Sequence, residues 1–278
     1  MSIDTVTHYP PYEMHSLFVP VTTGCSYNRC AYCSMYQDIA FSEVPLREIR
    51  QQLMNAQSYH PYPDRIFLTG AEPLCIGYQK MKTLLQLIRE YFPYCTCIAS
   101  YASVKNLRSL NVKELEHLHS LGLGPLYIGL ESGCDRILSL MQKGHTATDA
   151  VCQMQKLNAA RLPFNTILMY GLGGAGTARE NALASASMVN QFRTEQIIMM
   201  NLTVFANTTL ESWCREGVFQ EASNSERAEE LRILLEELHP VTPTRFTTEH
   251  VTNFIDITGV LPKDKEAMLA SIHRYCAS

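Results

Sequence analysis

Short apolar runs, rich in Ile, Val, Leu and Tyr and poor in charge, recur along the chain. They begin near Leu17 (LFVPVTT), Arg65 (RIFLTG), Thr96 (TCIASYA), Pro125 (PLYIGL), Phe164 (FNTILMY) and Gln196 (QIIMMNLTVF). Runs of this kind predict strands buried on both faces, as in a parallel sheet. Between them apolar positions recur with helical period, predicting helices over 46–58, 78–92, 112–121, 147–161 and 179–192. In the second, Met81, Leu84, Leu85, Leu87 and Ile88 share one face, and Lys80, Lys82, Gln86 and Glu90 fall elsewhere. Asn111 is placed to cap the third, with Glu114 completing a capping box.

Strand and helix alternate about every 30 to 40 residues after a longer first unit, as in βα units joined by right-handed crossovers. Six units fit before about Phe205, and the two more that would close an eight-stranded barrel do not. The pattern predicts an α/β fold, a partial (β/α)6 TIM-like barrel with a short C-terminal helical extension. The barrel core is assigned to 1–210. The extension, 211–278, is expected to cover it within the same structural domain. It contains predicted helices over 225–238 and 263–275 around a Pro/Thr-rich stretch, HPVTPTRFTTEH.

Composition narrows the function classes. The 278 residues are 46% apolar and carry a net charge of −4, so no basic excess points to nucleic acid. No secretory leader is visible in MSIDTVTHYPPYEMHSLF, and no run of apolar residues is long enough to span a membrane. A cytoplasmic location is therefore expected. Ten cysteines are many for a compartment that keeps thiols reduced, and close spacing there points to metal or redox chemistry.

The densest cluster is GCSYNRCAYC, which sets Cys25, Cys30 and Cys33 at C-x4-C-x2-C after the first predicted strand. Thiolates suit soft iron or zinc. Structural zinc asks for a fourth ligand, and the remaining cysteines (75, 95, 97, 134, 152, 214 and 276) contain no C-x2-C pair. Three thiolates would leave one iron of a [4Fe–4S] cubane open to an outside ligand. Three ordinary cysteines in a turn remain an alternative. Cys95 and Cys97, on a predicted strand, read as packing residues, and the seven outside the cluster are expected to be mostly buried.

The cluster resembles that of the radical S-adenosylmethionine (radical SAM) superfamily, in its Elp3/MiaB/NifB/coproporphyrinogen-oxidase-like core. The usual pattern is C-x3-C-x2-C with an aromatic residue before the last cysteine, here Tyr32. This chain has one more residue between the first two cysteines. Further motifs follow in family order. TGAEP, with Gly70, Ala71, Glu72 and Pro73, resembles the GGEP loop that offers backbone carbonyls and a carboxylate to the amino group of SAM. GLES, with Glu131 and Ser132, resembles a motif that meets its ribose or methionine end. Lys143 stands where a relative's Arg holds the methionine carboxylate, though Lys lacks the bidentate fork. A helix-end surface charge is the alternative for Lys143, and a strand-to-helix turn for GAEP.

The Gly-rich turn at Gly171, Gly173, Gly174 and Gly176 fails the dinucleotide fingerprint and reads as the loop after the fifth strand. NLTVFANTTL is similar to a segment that borders adenine in relatives. Each motif falls at the C-terminal end of a predicted strand, where βα barrels place their chemistry.

The resemblance implies a [4Fe–4S] cluster and SAM as cofactors and reductive cleavage of SAM to a 5′-deoxyadenosyl radical. It also implies hydrogen-atom abstraction from a substrate, and a low-potential donor of flavodoxin or ferredoxin type. No second cysteine cluster and no cobalamin domain is visible, which points to a small-molecule substrate. Cys134, just beyond GLES, is a candidate hydrogen donor, with a packed thiol as the alternative; Cys75 is weighed the same way. Arg245, His250 and Asn253 in the tail either touch substrate or are surface and cap residues. Two other functions stay open, an iron–sulfur protein for electron transfer or sensing without SAM turnover, and a zinc-binding structural domain.

Overall fold

The computed structural model describes residues 8–276. The opening residues read for a leader, 1–7, lie outside this range, as does the side chain of Cys276. All six predicted strands form: β1 (Leu17–Pro20), β4 (Ile66–Thr69), β5 (Ile98–Ala102), β6 (Leu123–Glu131), β7 (Phe164–Tyr170) and β8 (Gln196–Asn201). A small antiparallel ribbon, β2 (Thr22–Thr23) with β3 (Ser42–Glu43), follows β1. The predicted helices are α1 (Leu46–Tyr59), α2 (Tyr78–Tyr91), α4 (Val112–Ser120), α6 (Ala147–Ala159), α7 (Ala178–Val189), α9 (Asn224–Glu237) and α10 (Lys265–Cys276). Three short helices were not predicted, α3 (Val104–Arg108), α5 (Asp135–Leu140) and α8 (Thr209–Arg215). The Asn111–Glu114 capping box starts α4 as expected, and Ser223 with Glu226 forms another at α9.

The main sheet runs β1-β4-β5-β6-β7-β8-β9-β10. Its last two strands, β9 (Thr244–Thr247) and β10 (Thr258–Leu261), lie in and after the Pro/Thr-rich stretch, so the extension is not helical alone. β9 continues the parallel series beside β8, and β10 turns back antiparallel to β9. The period-2 signal is short here: Thr244, Phe246 and Thr247 are buried and Arg245 is exposed.

The chain forms two compact units. The first comprises 8–28, 35–128 and 159–164, and the second 29–34, 129–158 and 165–276. In the first, β1, β4 and β5 are parallel, with Val19 opposite Leu68 and Leu68 opposite Ser100. Ile66, Phe67 and Leu68 are buried on both faces of β4, as its uninterrupted apolar run requires. Glu13 is fully buried in the same unit. It accepts hydrogen bonds from Arg65 (2.5 Å) and the Tyr127 hydroxyl (2.8 Å). β5 begins at Ile98 rather than Thr96, because the chain is still in the turn that closes α2, where the Cys95 N–H donates to the Phe92 carbonyl. Cys95 and Cys97 therefore precede the strand.

In the second unit β7 and β8 pair in parallel over six residues, with Leu168 opposite Met199. Ile137, Met141, Leu172, Leu202 and Leu210 form one of its apolar clusters, joined by Ala31 from the cysteine loop. Helix α9 presents Arg227, Glu230, Leu231 and Leu234 on its buried stripe. Glu230 accepts from the Gly171 N–H (2.9 Å) and the Asn181 side-chain amide (2.6 Å). Arg227 spans Asn201, the Leu202 carbonyl and Glu221.

Burial raises the Glu230 carboxyl to about 7, against the lowering effect of its two donors and Arg227. A carboxyl raised in the folded state binds its proton more tightly there than in the unfolded chain. Its contribution to stability is therefore complete below the ordinary carboxylate range and lost as pH rises through about 7. Denaturant midpoints followed from pH 4.5 to 7.5 are expected to decline less steeply in Glu230→Gln than in the native chain. Parallel curves would show that Glu230 does not titrate in this window.

Candidate functional site

In the first unit the GAEP loop leaves the end of β4. Gly70 has φ +127°, and a Cβ there would lie 2.1 Å from Thr22 Oγ1, so only glycine fits under the ribbon. Ala71 follows, Glu72 is extended, and Pro73 opens a one-turn 3-10 helix, Pro73–Ile76. Glu72 is only 4% exposed. Its Oε1 accepts from the Ser26 hydroxyl and, at 3.7 Å, from the Cys25 thiol. The cysteine loop and GAEP are thus tied at one carboxylate. Burial, then Glu72, push the Cys75 thiol up to about 12, so it remains protonated at neutral pH.

The first part of the cysteine loop is held at each residue after Ser26. Lys105 Nζ sits 4.3 Å from the centre of the Tyr27 ring. Asn28 takes φ +44°, places its N–H 3.3 Å from Cys25 Sγ, and donates its side-chain amide to the Tyr36 carbonyl (3.0 Å).

In the second unit Ala31 fixes the rest of the loop by two backbone bonds, its N–H to the Met141 carbonyl (3.0 Å) and its carbonyl from the Leu210 N–H (2.8 Å). The Cys33 N–H donates to the Cys30 carbonyl. Tyr32, Glu131 and Lys143 come together. Lys143 Nζ is 2.7 Å from Glu131 Oε1 and 3.5 Å from the Tyr32 hydroxyl. The Lys143 and Glu131 side chains are 16% and 10% exposed, so Lys143 is not a surface helix-end charge. Burial pulls its ammonium down, but Glu131, Tyr32 and Cys30 outweigh this and hold it well above its usual value. Burial and then Glu131 push the Tyr32 phenol up in turn. Glu131 adopts φ +65°, a left-handed conformation uncommon for a residue with a side chain. A Cβ at Gly129 would lie 2.3 Å from Glu131 Oε1, so glycine makes the room the carboxylate occupies.

Ser132 turns away from this pair. Its hydroxyl donates to Asn181 Oδ1 (2.5 Å) and accepts from the Cys134 N–H (2.9 Å). The Asn181 amide continues to Glu230, linking the GLES loop to α9. Cys134 is buried in the apolar cluster, with its thiol 3.3 Å from Glu180, which Arg136 also holds.

Cys25 belongs to the first unit and Cys30 and Cys33 to the second; all three are half-buried. Among the described residues no set of three His, Cys, Asp or Glu side chains stands ready-gathered around one point. Of the other described cysteines, Cys95 and Cys134 are buried, Cys75, Cys97 and Cys214 half-buried, and Cys152 exposed, which corrects the expectation of mostly buried thiols. Cys152 falls off the Ala150–Gln153–Met154–Leu157 stripe that α6 buries. In the tail, Asn253 is a cap, accepting from the Asn201 N–H (2.6 Å) and donating to the Met199 carbonyl (2.8 Å). Arg245 pairs with Glu249 on the surface, and His250 meets the Thr252 hydroxyl.

Sequence reasoning missed Ser26, Asn181 and Glu230. The readable sign of Glu230 was a carboxylate on the apolar stripe of α9. Ser26 carried no sign beyond its place in the longer loop.

Removing one member of a buried ion pair strands the other. Lys143→Met is expected to lower stability by about 3 kcal/mol, measured by urea unfolding, and adding Glu131→Gln should recover most of the loss. A single variant as stable as the native chain would show that the pair contributes nothing.

Comparison with known proteins adds the family. Residues 19–182 match the Radical SAM superfamily. The chain is 24% identical over 153 residues to the heme chaperone HemW of Bacillus subtilis (strain 168), covering 52% of this chain but 40% of the relative. Among solved structures it resembles methylornithine synthase (PylB), with a TM-score of 0.58, 14% identity, and 92% of this chain and 68% of that one covered. Coproporphyrinogen III oxidase (HemN) from Escherichia coli gives a TM-score of 0.56 at 16% identity, over 80% and 51% of the two chains. The archaeal Methanocaldococcus infernus Elp3 gives 0.55 at 15% identity, over 94% and 63%. These structural likenesses are of fold. The matched span takes in the cysteine loop, GAEP, GLES and Lys143, and on that footing this chain belongs to the radical SAM superfamily.

Proposed function

We propose that this chain holds a [4Fe–4S] cluster on Cys25, Cys30 and Cys33, cleaves SAM reductively, and abstracts a hydrogen atom from a small-molecule substrate. The observation that carries this reading is that the three cysteines, Glu72, Glu131 and Lys143 all fall within the span matched to the superfamily. The donor chemistry is compatible. The cysteines are half-buried thiols, which as thiolates suit iron. Glu72 is a buried carboxylate whose accepted bonds both arrive at Oε1. Lys143 is a buried cation.

When bound, the cluster and SAM supply the electron transfer and the 5′-deoxyadenosyl radical that takes hydrogen from substrate. The protein's residues bind and orient. Glu72 and the Gly70–Pro73 backbone accept from the SAM amino group, Glu131 faces its ribose or methionine end, and Lys143 faces its carboxylate; Ser132, fully buried and bonded to Asn181, holds the GLES loop behind Glu131 rather than touching SAM. Tyr32, whose phenol stays protonated, packs beside the last cysteine. Cys134 is the candidate hydrogen donor, and turnover unchanged in Cys134→Ser would remove it from the reaction. The electron is assigned to a donor of flavodoxin or ferredoxin type and the location to the cytoplasm. Among the described residues no helix is long and apolar enough to cross a membrane.

A second reading is an iron–sulfur protein without SAM turnover, favoured by the likeness to a protein described as a heme chaperone. Anaerobic reconstitution followed by SAM and dithionite separates the two. We expect about four irons per chain, release of methionine and 5′-deoxyadenosine, and loss of both cluster and cleavage in Cys30→Ala. An intact cluster without cleavage supports the second reading, and zinc in place of iron supports a structural domain.

A further inference from the structure

We propose that Ser26, in the lengthened stretch between the first two cysteines, is a positioning residue for Glu72. Its hydroxyl fixes which carboxylate oxygen is offered to the ammonium group of SAM. The inference rests on the function proposed above and adds a residue that the superfamily's shared motifs do not contain.

Glu72 is almost fully covered, so its carboxylate must be met by donors. Both bonds it accepts within the protein come from the cysteine loop and arrive at Oε1, one from the Ser26 hydroxyl and one from the Cys25 thiol. If Cys25 ligates iron as a thiolate, its proton is gone and it no longer donates. Ser26 is then the neutral donor that remains on Oε1, and it leaves Oε2 for a cationic ligand. A carboxylate with one oxygen anchored loses the rotation about its last side-chain bond, so the other oxygen is aimed before the ligand arrives.

Ser26 can do this because its turn is held. Tyr27 lies against Lys105, and Asn28, in the left-handed region, is tied to the Tyr36 carbonyl. Gly70 brings the start of GAEP under Thr22, on the ribbon strand that precedes the cysteine loop in the chain. Ser26 is therefore placed from its own side, and Glu72 from the GAEP side, where Pro73 follows directly.

The test is equilibrium binding of SAM to the cluster-loaded protein by calorimetry, under anaerobic conditions without reductant, so that no turnover occurs. A SAM analogue lacking the α-amino group serves as the comparison ligand. Ser26→Ala is expected to weaken SAM binding about tenfold, the effect of losing one hydrogen bond to a charged group. It should leave the affinity for the deaminated analogue unchanged. Ser26→Thr, which keeps the hydroxyl, should bind SAM as the native chain does. Equal SAM affinity in Ser26→Ala and the native chain overturns the proposal, as does an equal loss for both ligands, which would mark a collapsed loop. Should Ser26→Ala fail to load iron, a crystal structure of the native protein with SAM decides, and a Ser26 hydroxyl turned away from Glu72 overturns the proposal. A native chain that holds its cluster and binds no SAM overturns the function proposed above as well, a result distinct from the others.

Discussion

Burying a carboxylate is expensive unless donors meet it, and this fold does so at four places among its described residues: Glu13, Glu72, Glu131 and Glu230. Each answers the constraint differently. Glu13 takes a guanidinium and a phenol, from Arg65 just before β4 and Tyr127 on β6. Glu72 takes a hydroxyl and a thiol from the cysteine loop. Glu131 takes an ammonium, and Glu230 a backbone N–H and a side-chain amide. Three of the four stand at or behind loops that leave the C-terminal ends of strands. Because buried carboxyl oxygens must be satisfied, each of the four dictates where its partners stand, and the loops inherit that order.

The strands and long helices were legible because their causes are local. Ile66, Phe67 and Leu68 read as a strand and bury on both faces, and the α2 face drawn from Met81 to Ile88 is the face that packs. Asn111 and Glu114 cap α4 through side chains three residues apart. β9 and β10 were not legible. Each is four residues long, the first lies within a stretch punctuated by prolines, and what makes them strands is pairing, with β8 across nearly fifty residues in the case of β9. Tertiary hydrogen bonds, not propensity, decide such elements.

The candidate site divides along the same line. Cys25, Cys30, Cys33, Glu72 and Glu131 announce themselves by spacing within a few residues of a strand end. Lys143 was readable as a charge but not as a buried partner, since its environment comes from Glu131 and Tyr32, twelve and 111 residues away. Ser26 and Asn181 were silent for the same reason. Serine and asparagine are ordinary loop and helix residues until a distant carboxylate or hydroxyl gives them a task. Burial of Cys134 was expected from its chemistry alone, and exposure of Cys152 follows from which stripe of α6 faces inward.

The extension beyond residue 210 is more than a cover added to a finished core. Glu230 on α9 accepts the N–H of Gly171, the first residue after β7, and the amide of Asn181, whose carbonyl oxygen takes the Ser132 hydroxyl. Arg227, one turn earlier, spans Asn201 and the Leu202 carbonyl at the end of β8. One face of one helix therefore reaches the exits of two strands directly and the GLES loop through a single intermediate. A loop that must hold a left-handed Glu131 against a buried lysine needs such support, because the strained backbone is stable only where its surroundings over-determine it. Within the second unit the helix that follows the core supplies part of that determination, so the GLES loop and α9 are best understood as one arrangement.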